Sequence, residues 1–344
     1  MTNMEITDRR RAADLLPDGP PVEAVAAAFD VRIVAWNPAT GGADALARVY
    51  RALALDRSER SAEYAVKVGV GPERVGFAVA AALAQRGIAG INSPLRTRTG
   101  ETTVRDADVW ITVQPWLIGE SLDADAVPSS TWTALGRLLA EVHRCPLDAL
   151  PTDLRTERYD HRRVTADFRR TNATMRRAPA DGLAAELAHA WSQAIPDGDS
   201  LPALVDRLAP VAAAGAGPVV LCHADPHLGN VIVGPDREPW LIDWDDAVVA
   251  PVERDLLFHL GGWGSLGATD VTQQAAFVDG YGPMQPDPVR LRYFRAVRLM
   301  EDLADWAAEA ADPGLPEDRR RRALDIVVGI VGATGQLSEV LPGS

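Results

Sequence analysis

The stretch that most narrows the possible folds covers residues 219–246, VVLCHADPHLGNVIVGPDREPWLIDWDD. Two short apolar runs, residues 219–222 and 230–233, bracket a polar loop carrying His223, Asp225, His227 and Asn230. Gly234-Pro235-Asp236 is a turn signal, and residues 239–242 then lead into Asp243. Aliphatic and β-branched runs of this length, separated by such turns, predict short strands. The expected tight hairpin brings Asp225, Asn230 and Asp243 near one another. Mg²⁺ takes hard oxygen donors, usually one or two carboxylates plus phosphate oxygens and water. The segment therefore predicts a magnesium–phosphate site.

The spacing itself, His223-Ala224-Asp225 with Asn230 five residues after the aspartate and Asp243 on the next strand, resembles the H-x-D-x-x-x-x-N and D-x-x pair of kinase-like phosphotransferases. The neighbouring residues CHADPHLGN, LIDWDDA and PVERDLLFHLGG are similar to the aminoglycoside phosphotransferase family, and within it to the spectinomycin phosphotransferase branch. That resemblance implies an α+β, bilobal protein-kinase-like fold. A small β-rich N-lobe would occupy residues 1–116 and a larger, mostly helical C-lobe residues 117–344. It implies ATP, or GTP, as phosphate donor and Mg²⁺ as cofactor. Asp225 would accept or direct the proton of a substrate hydroxyl, His223 would orient the loop, and Asn230 and Asp243 would hold one or two Mg²⁺ ions. His227 is expected to pack. Asp245 and Asp246 flank the metal aspartate, and either could ligate metal or meet a cationic substrate. Asp255 matches a family aspartate that braces the catalytic loop.

Lys67 is the only lysine in the chain; every other cation among the 35 lysine and arginine residues is arginine. Lysine is a compact charge on a flexible stem, whereas guanidinium is a broad planar fork, so the lone lysine is either an accident of arginine-biased codon usage or the mark of a place where arginine fails. It lies in YAVKV, which resembles the third-strand motif of kinase-like folds, whose lysine holds the α- and β-phosphates. Gly41 and Gly42 stand where such a fold places its phosphate-covering loop. Residues 72–86 predict a helix, with Pro72 in its first turn and Gly87 ending it. A kinase-like fold takes an acidic partner for the lysine from this helix. Glu73 is the only acidic residue between Lys67 and Glu101; its other reading is a helix-start glutamate favouring the dipole. Residues 91–117 read as a hairpin turning at Thr99-Gly100. By the resemblance, its end is the adenine hinge, with the Pro115 carbonyl and the Leu117 N–H as its alternating backbone groups.

At 344 residues with 47% hydrophobic and 24% charged composition, the chain has ample material for a large core. No apolar run is expected to reach the roughly 18 residues of a membrane span, and the basic N-terminus lacks the apolar region of a secretory signal; the expectation is a cytoplasmic protein without membrane partners. Cys145 and Cys222 fit neither a disulfide framework nor a zinc site and predict two buried thiols. A net charge of −13 argues against nucleic acid, whose binding draws on cationic contacts to phosphate. It suits a cationic, polyhydroxylated small molecule if the acidic groups line a cleft; acidity that serves solubility is the competing reading. The assembly expected is a monomer or weak dimer.

The rest predicts helices: residues 131–144, the arginine-rich 161–177 with intramolecular acidic partners, 182–194, 201–214 and 288–311. On the last, Glu301, Asp302, Asp305 and Glu309 form an acidic strip, either a solvated face or, as the resemblance to the spectinomycin branch implies, a drug-facing one with Glu301, Asp302 and Asp305 as substrate ligands. Two rivals stand beside the antibiotic kinase: a choline- or fructosamine-kinase-like metabolic enzyme, and a pseudokinase that binds without transfer. Lys67, Asp225, Asn230 and Asp243 are all present, which counts against the second.

Overall fold

Alternating aliphatic residues between Arg32 and Pro115 build an antiparallel sheet. The computed structural model describes residues 15–39, 46–72, 75–121, 127–177, 182–215, 217–261, 269–332 and 335–341. Helix α1 (Val22–Phe29) precedes β1 (Arg32–Pro38), β2 (Ala47–Leu55) and β3 (Ser61–Val70); helix α2 (Gly76–Gln85), β4 (Val104–Asp106) and β5 (Val109–Pro115) follow. The strand order is β1-β2-β3-β5-β4. β3 is central, and Lys67 faces Val49 on β2 and Thr112 on β5. Successive side chains on a strand point to opposite faces. Val66 and Val68 enter the core with Tyr50, Val25 and Phe29, so Lys67 projects from the other face. Gly69 shares that face, where the Trp110 indole leaves no room for a Cβ.

Two details differ from expectation. The helix starts at Gly76, not Pro72, because Gly71 turns the chain with φ +86° and leaves Pro72 in the bend. The hairpin turns around Ala107, which adopts φ +49°, and not at Thr99-Gly100. Residues 97–101 instead close on themselves: the Thr97 N–H donates to the Glu101 carbonyl and the Gly100 N–H to the Thr97 carbonyl.

Contacts divide the chain into two compact units: Met1–Leu122 with Arg137–Arg155 and His223–Val248, and Asp123–Gly136 with Thr156–Cys222 and Val249–Ser344. The first unit contains the five-stranded sheet and the HADPHLGN…DWDD segment. In it, β6 (Glu120–Ser121) pairs with a hairpin formed by Val231–Val233 and Pro239–Leu241. The turn at Gly234–Arg237 is closed by the Arg237 N–H on the Gly234 carbonyl. Helix α3 (Ser129–His143) carries residues of both units.

The second unit is helical: α4 (Arg162–Met175), α5 (Gly182–Ala194), α6 (Ser200–Ala214), the short α7 (Glu253–Leu256), α8 (Val271–Tyr281), α9 (Pro288–Ala311), α10 (Glu317–Val331) and α11 (Gln336–Val340). Phe168, Leu187, Trp191, Leu204, Phe294 and Leu299 centre its core. The strand Val219–Cys222 pairs with Val248–Pro251, so the first apolar run of the motif stands outside the hairpin that follows it. Asp287 caps α9 by accepting the Val289 and Arg290 N–H groups, ahead of Pro288 in the first turn. Arg162, Arg163, Arg169 and Arg170 pair with Asp160, Asp167, Asp199 and Asp167, as the arginine-rich stretch predicts. Both cysteines are buried free thiols. By length and composition alone, the stretch Glu317–Val340 is apolar enough to cross a membrane. Its apolar residues serve the core, where Ala323, Leu324, Val327, Ile330, Leu337 and Val340 are buried.

Candidate active site

The loop after Cys222 is held by its own side chains. His223 is fully buried; its Nε2 lies 2.9 Å from the Ile242 carbonyl, and its Nδ1 faces the Asp225 N–H at 3.3 Å. A carbonyl can only accept and an N–H can only donate. The ring is therefore the neutral Nε2–H form, tied at both ends and packed on Trp244 at 4.6 Å. Both ring nitrogens are thereby engaged, one on the Ile242 carbonyl and one on the Asp225 N–H. Ala224, between His223 and Asp225, adopts φ +70°, a left-handed conformation that alanine enters at a cost of roughly 1–2 kcal/mol. The kink sets the Asp225 carboxylate beside Asn230, whose Nδ2 donates to the Asp225 carbonyl at 2.9 Å and to its Oδ2 at 3.3 Å. His227 Nε2 also lies 3.5 Å from Asp225 Oδ2, while its Nδ1 accepts the Gly229 N–H. Sequence reasoning assigned His227 to packing; its ring faces the candidate base.

Asp243 also sits in the left-handed region, at φ +63°, and starts a tight turn, Trp244–Asp246. The turn brings two carboxylates to one ammonium. Lys67 Nζ is 3.0 Å from Asp243 Oδ1 and 2.8 Å from Asp245 Oδ2, and 5.7 Å from the centre of the Phe77 ring on α2. Burial alone would lower the lysine pKa, but the two carboxylates outweigh it and hold the group above its ordinary value, fully charged at neutral pH. Asp245 was a candidate metal or substrate ligand by sequence; the structure places it on Lys67. Asp246 is half-exposed, 3.9 Å from Arg155. The turn is locked from above by α2: a Cβ at Gly76 would collide with the Trp244 carbonyl.

The donors here suit a hard cation. Asn230 turns its amide nitrogen toward Asp225, leaving the carbonyl oxygen as its metal-competent atom, and the Asp243 side chain is 45% exposed. An amide oxygen and an exposed carboxylate are ligands Mg²⁺ accepts.

The other sequence candidates are spread more widely. Pro115 ends β5, exposed, and its carbonyl lies 3.4 Å from the Asn92 amide nitrogen. Leu117 is half-buried just beyond Trp116, whose N–H donates to the Glu63 carbonyl and whose ring lies under the Arg51 guanidinium. Gly41, Gly42 and Glu73 lie outside the described residues. On α9, Asp302 is 13% exposed and paired with Arg298 at 2.8 Å, and Glu309 is paired with Arg319. The acidic strip is therefore partly neutralised within the helical unit; Glu301 is half-buried and Asp305 exposed.

A lysine on the central strand of an antiparallel sheet, facing a D-x-D turn, together with an H-x-D loop and its asparagine, is the arrangement of a kinase-like phosphotransferase. The description of the Phosphotransferase enzyme family matches residues 40–294, and the chain belongs to that family. Among solved structures, a spectinomycin phosphotransferase in complex with ADP and spectinomycin is similar over 95% of this chain and 99% of its own, with a TM-score of 0.74 and 23% identity. An aminoglycoside phosphotransferase from Alicyclobacillus acidocaldarius is similar over 94% and 96%, with a TM-score of 0.55 and 17% identity. A Plasmodium vivax ethanolamine kinase is similar over 91% and 83%, with a TM-score of 0.53 and 12% identity. At these identities the likeness establishes the kinase-like fold. No curated protein matches the sequence.

Proposed function

We propose that the protein transfers the γ-phosphate of ATP, or GTP, to a hydroxyl of a cationic, polyhydroxylated aminocyclitol or aminoglycoside antibiotic, and so confers resistance to it. The observation that carries this reading is the buried Lys67 ammonium held by Asp243 and Asp245, in the same compact unit as the Asp225–Asn230 pair. Phosphoryl transfer asks little covalent work of a protein; positioning and charge neutralisation supply most of the rate. Residues 1–116 serve as the nucleotide-binding lobe, with Lys67 on the α- and β-phosphates and the Pro115 carbonyl and Leu117 N–H at the adenine edge. Residues 117–344 supply the catalytic loop and the substrate-binding helices. Asp225 accepts the proton of the attacking hydroxyl, and His223 holds the loop that carries it. Asn230 and Asp243 would hold magnesium, which supplies neutralisation of the phosphate charge. Glu301, Asp302 and Asp305 are the proposed contacts to substrate ammonium groups.

The substrate class draws support from the spectinomycin phosphotransferase likeness and from the net charge of −13. A second reading, phosphorylation of an amino alcohol, is favoured by the internal pairing of Asp302 with Arg298, which reduces the strip's attraction for a polycation, and by the ethanolamine kinase likeness. A nucleotide-coupled assay with ³¹P-NMR across spectinomycin, streptomycin, kanamycin, hygromycin B, choline, ethanolamine and fructosamine separates them. Turnover of spectinomycin or another aminocyclitol is expected; turnover of choline or ethanolamine alone would remove the antibiotic and keep the kinase.

Lys67→Arg is expected to lose most turnover, about tenfold or more, while the melting temperature without nucleotide changes little. The planar fork cannot reproduce a point contact to two phosphates, and it has to fit between two carboxylates and Phe77. Normal turnover in this variant would reduce the lone lysine to codon usage.

A further inference from the structure

We propose that Asp245 is the carboxylate that positions Lys67 for the nucleotide, the role expected of an acidic side chain on helix α2. This rests on the reading of the chain as a nucleotide-dependent phosphotransferase. Three independent features meet at this point. First, the described helix reads GFAVAAALAQ and carries no acid at all. What it presents to the ammonium is the Phe77 ring, 5.7 Å from Nζ, a face that attracts a cation without neutralising it. Second, the two carboxylates on Lys67 are unlike each other. Asp243 is 45% exposed and is the candidate magnesium ligand; Asp245 is 11% exposed and makes the shorter contact, 2.8 Å against 3.0 Å. A carboxylate engaged by a divalent cation has little charge left for an ammonium, so Asp243 cannot be a constant anchor, whereas Asp245 can. Third, the turn bearing Asp245 is rigid. Trp244 is buried, its indole N–H donates to the Leu241 carbonyl, and the α2 backbone at Gly76 rests on the Trp244 carbonyl at a distance no side chain allows.

A lysine side chain gives up rotamer entropy when it is fixed. Asp245 and Phe77 meet that cost in the folded protein before any nucleotide arrives, so the ammonium waits in one place. Helix α2 then acts through its backbone, at Gly76, and through an aromatic face, and the anion comes from the metal-binding turn itself. Asp245 is in this view a positioning residue acting through Lys67.

The test uses a property of the composition: with one lysine in the chain, an amine-acylating reagent modifies only Lys67 and the α-amine, which peptide mass analysis separates. Without nucleotide or metal, Asp245→Asn releases the ammonium from its closer contact and is expected to raise the Lys67 acylation rate on the order of tenfold, because the freed side chain reaches the reagent more often. It should lower kcat/KM for the nucleotide by a similar factor, leaving KM for the acceptor unchanged, and Asp245→Glu should recover part of both. Glu73→Gln should leave the acylation rate as in the wild type. If Glu73→Gln speeds acylation and Asp245→Asn does not, the anion comes from the region of the helix and the assignment is wrong. A higher magnesium requirement in Asp245→Asn with unchanged Lys67 reactivity would make Asp245 a metal ligand and overturn it equally. Unchanged reactivity with nucleotide binding intact removes this assignment alone, whereas a wild-type protein that binds no nucleotide removes the phosphotransferase reading along with it.

Discussion

Asp225→Asn is expected to lower kcat by at least about two orders of magnitude, the usual scale for removing a positioned general base. The substitution is nearly isosteric. The Asp225 carbonyl keeps the Asn230 amide contact, His223 keeps its two bonds, and the positive φ of Ala224 still turns the chain. What disappears is the anionic oxygen near which Asn230 and His227 lie. The loss should therefore fall on kcat, with nucleotide affinity, measured by calorimetry, and the melting temperature close to wild type. Near-normal kcat would remove Asp225 as the proton acceptor and leave positioning alone to explain transfer.

The second large effect is on stability. Glu253 is 1% exposed and receives Arg290 through two nitrogens, Nε at 3.1 Å and Nη2 at 3.0 Å, along with the Asp287 N–H at 2.6 Å. Arg290 also donates to the Gly215 carbonyl. Glu253→Ala strands a guanidinium, 11% exposed, and an N–H in the helical unit, and breaking such a pair costs about 3–5 kcal/mol. Urea unfolding should register that loss. A double replacement of Glu253 and Arg290 by methionine should recover much of it, because the strongly destabilising state is the half-broken pair. A loss below about 1 kcal/mol in Glu253→Ala would mean that Asp287, 3.8 Å from Arg290, takes the charge over.

What could be read from the residues depended on how local the determining physics is. Lys67 on its strand follows from the alternation in YAVKV, and the helices at residues 182–194 and 288–311 follow from periodicity and caps, since each is settled by neighbours a few positions away. The loop from His223 to Asn230 was legible because its contacts are internal to a short segment. The contact of Asp245 with Lys67 was not. Asp245 lies 178 positions away, and no pattern within LIDWDDA says which of its carboxylates turns inward. The hairpin turn at Ala107 was missed for a related reason: Thr99-Gly100 looks like a turn and is one, but it closes a five-residue loop, leaving the reversal to a positive-φ alanine that composition does not advertise. The pairing of Asp302 with Arg298 is a four-residue helix contact and is legible from spacing.

The same central strand that carries the single lysine also gives the chain one bond that a lysine-specific endoprotease can cut. That bond lies between β2 and β5, hydrogen-bonded on both sides, and a protease needs an extended, unpaired segment. Cleavage must therefore wait until β3 leaves the sheet, so its rate measures the opening of this central strand. Folding, in this molecule, has placed its only such scissile site where nothing short of losing the sheet exposes it.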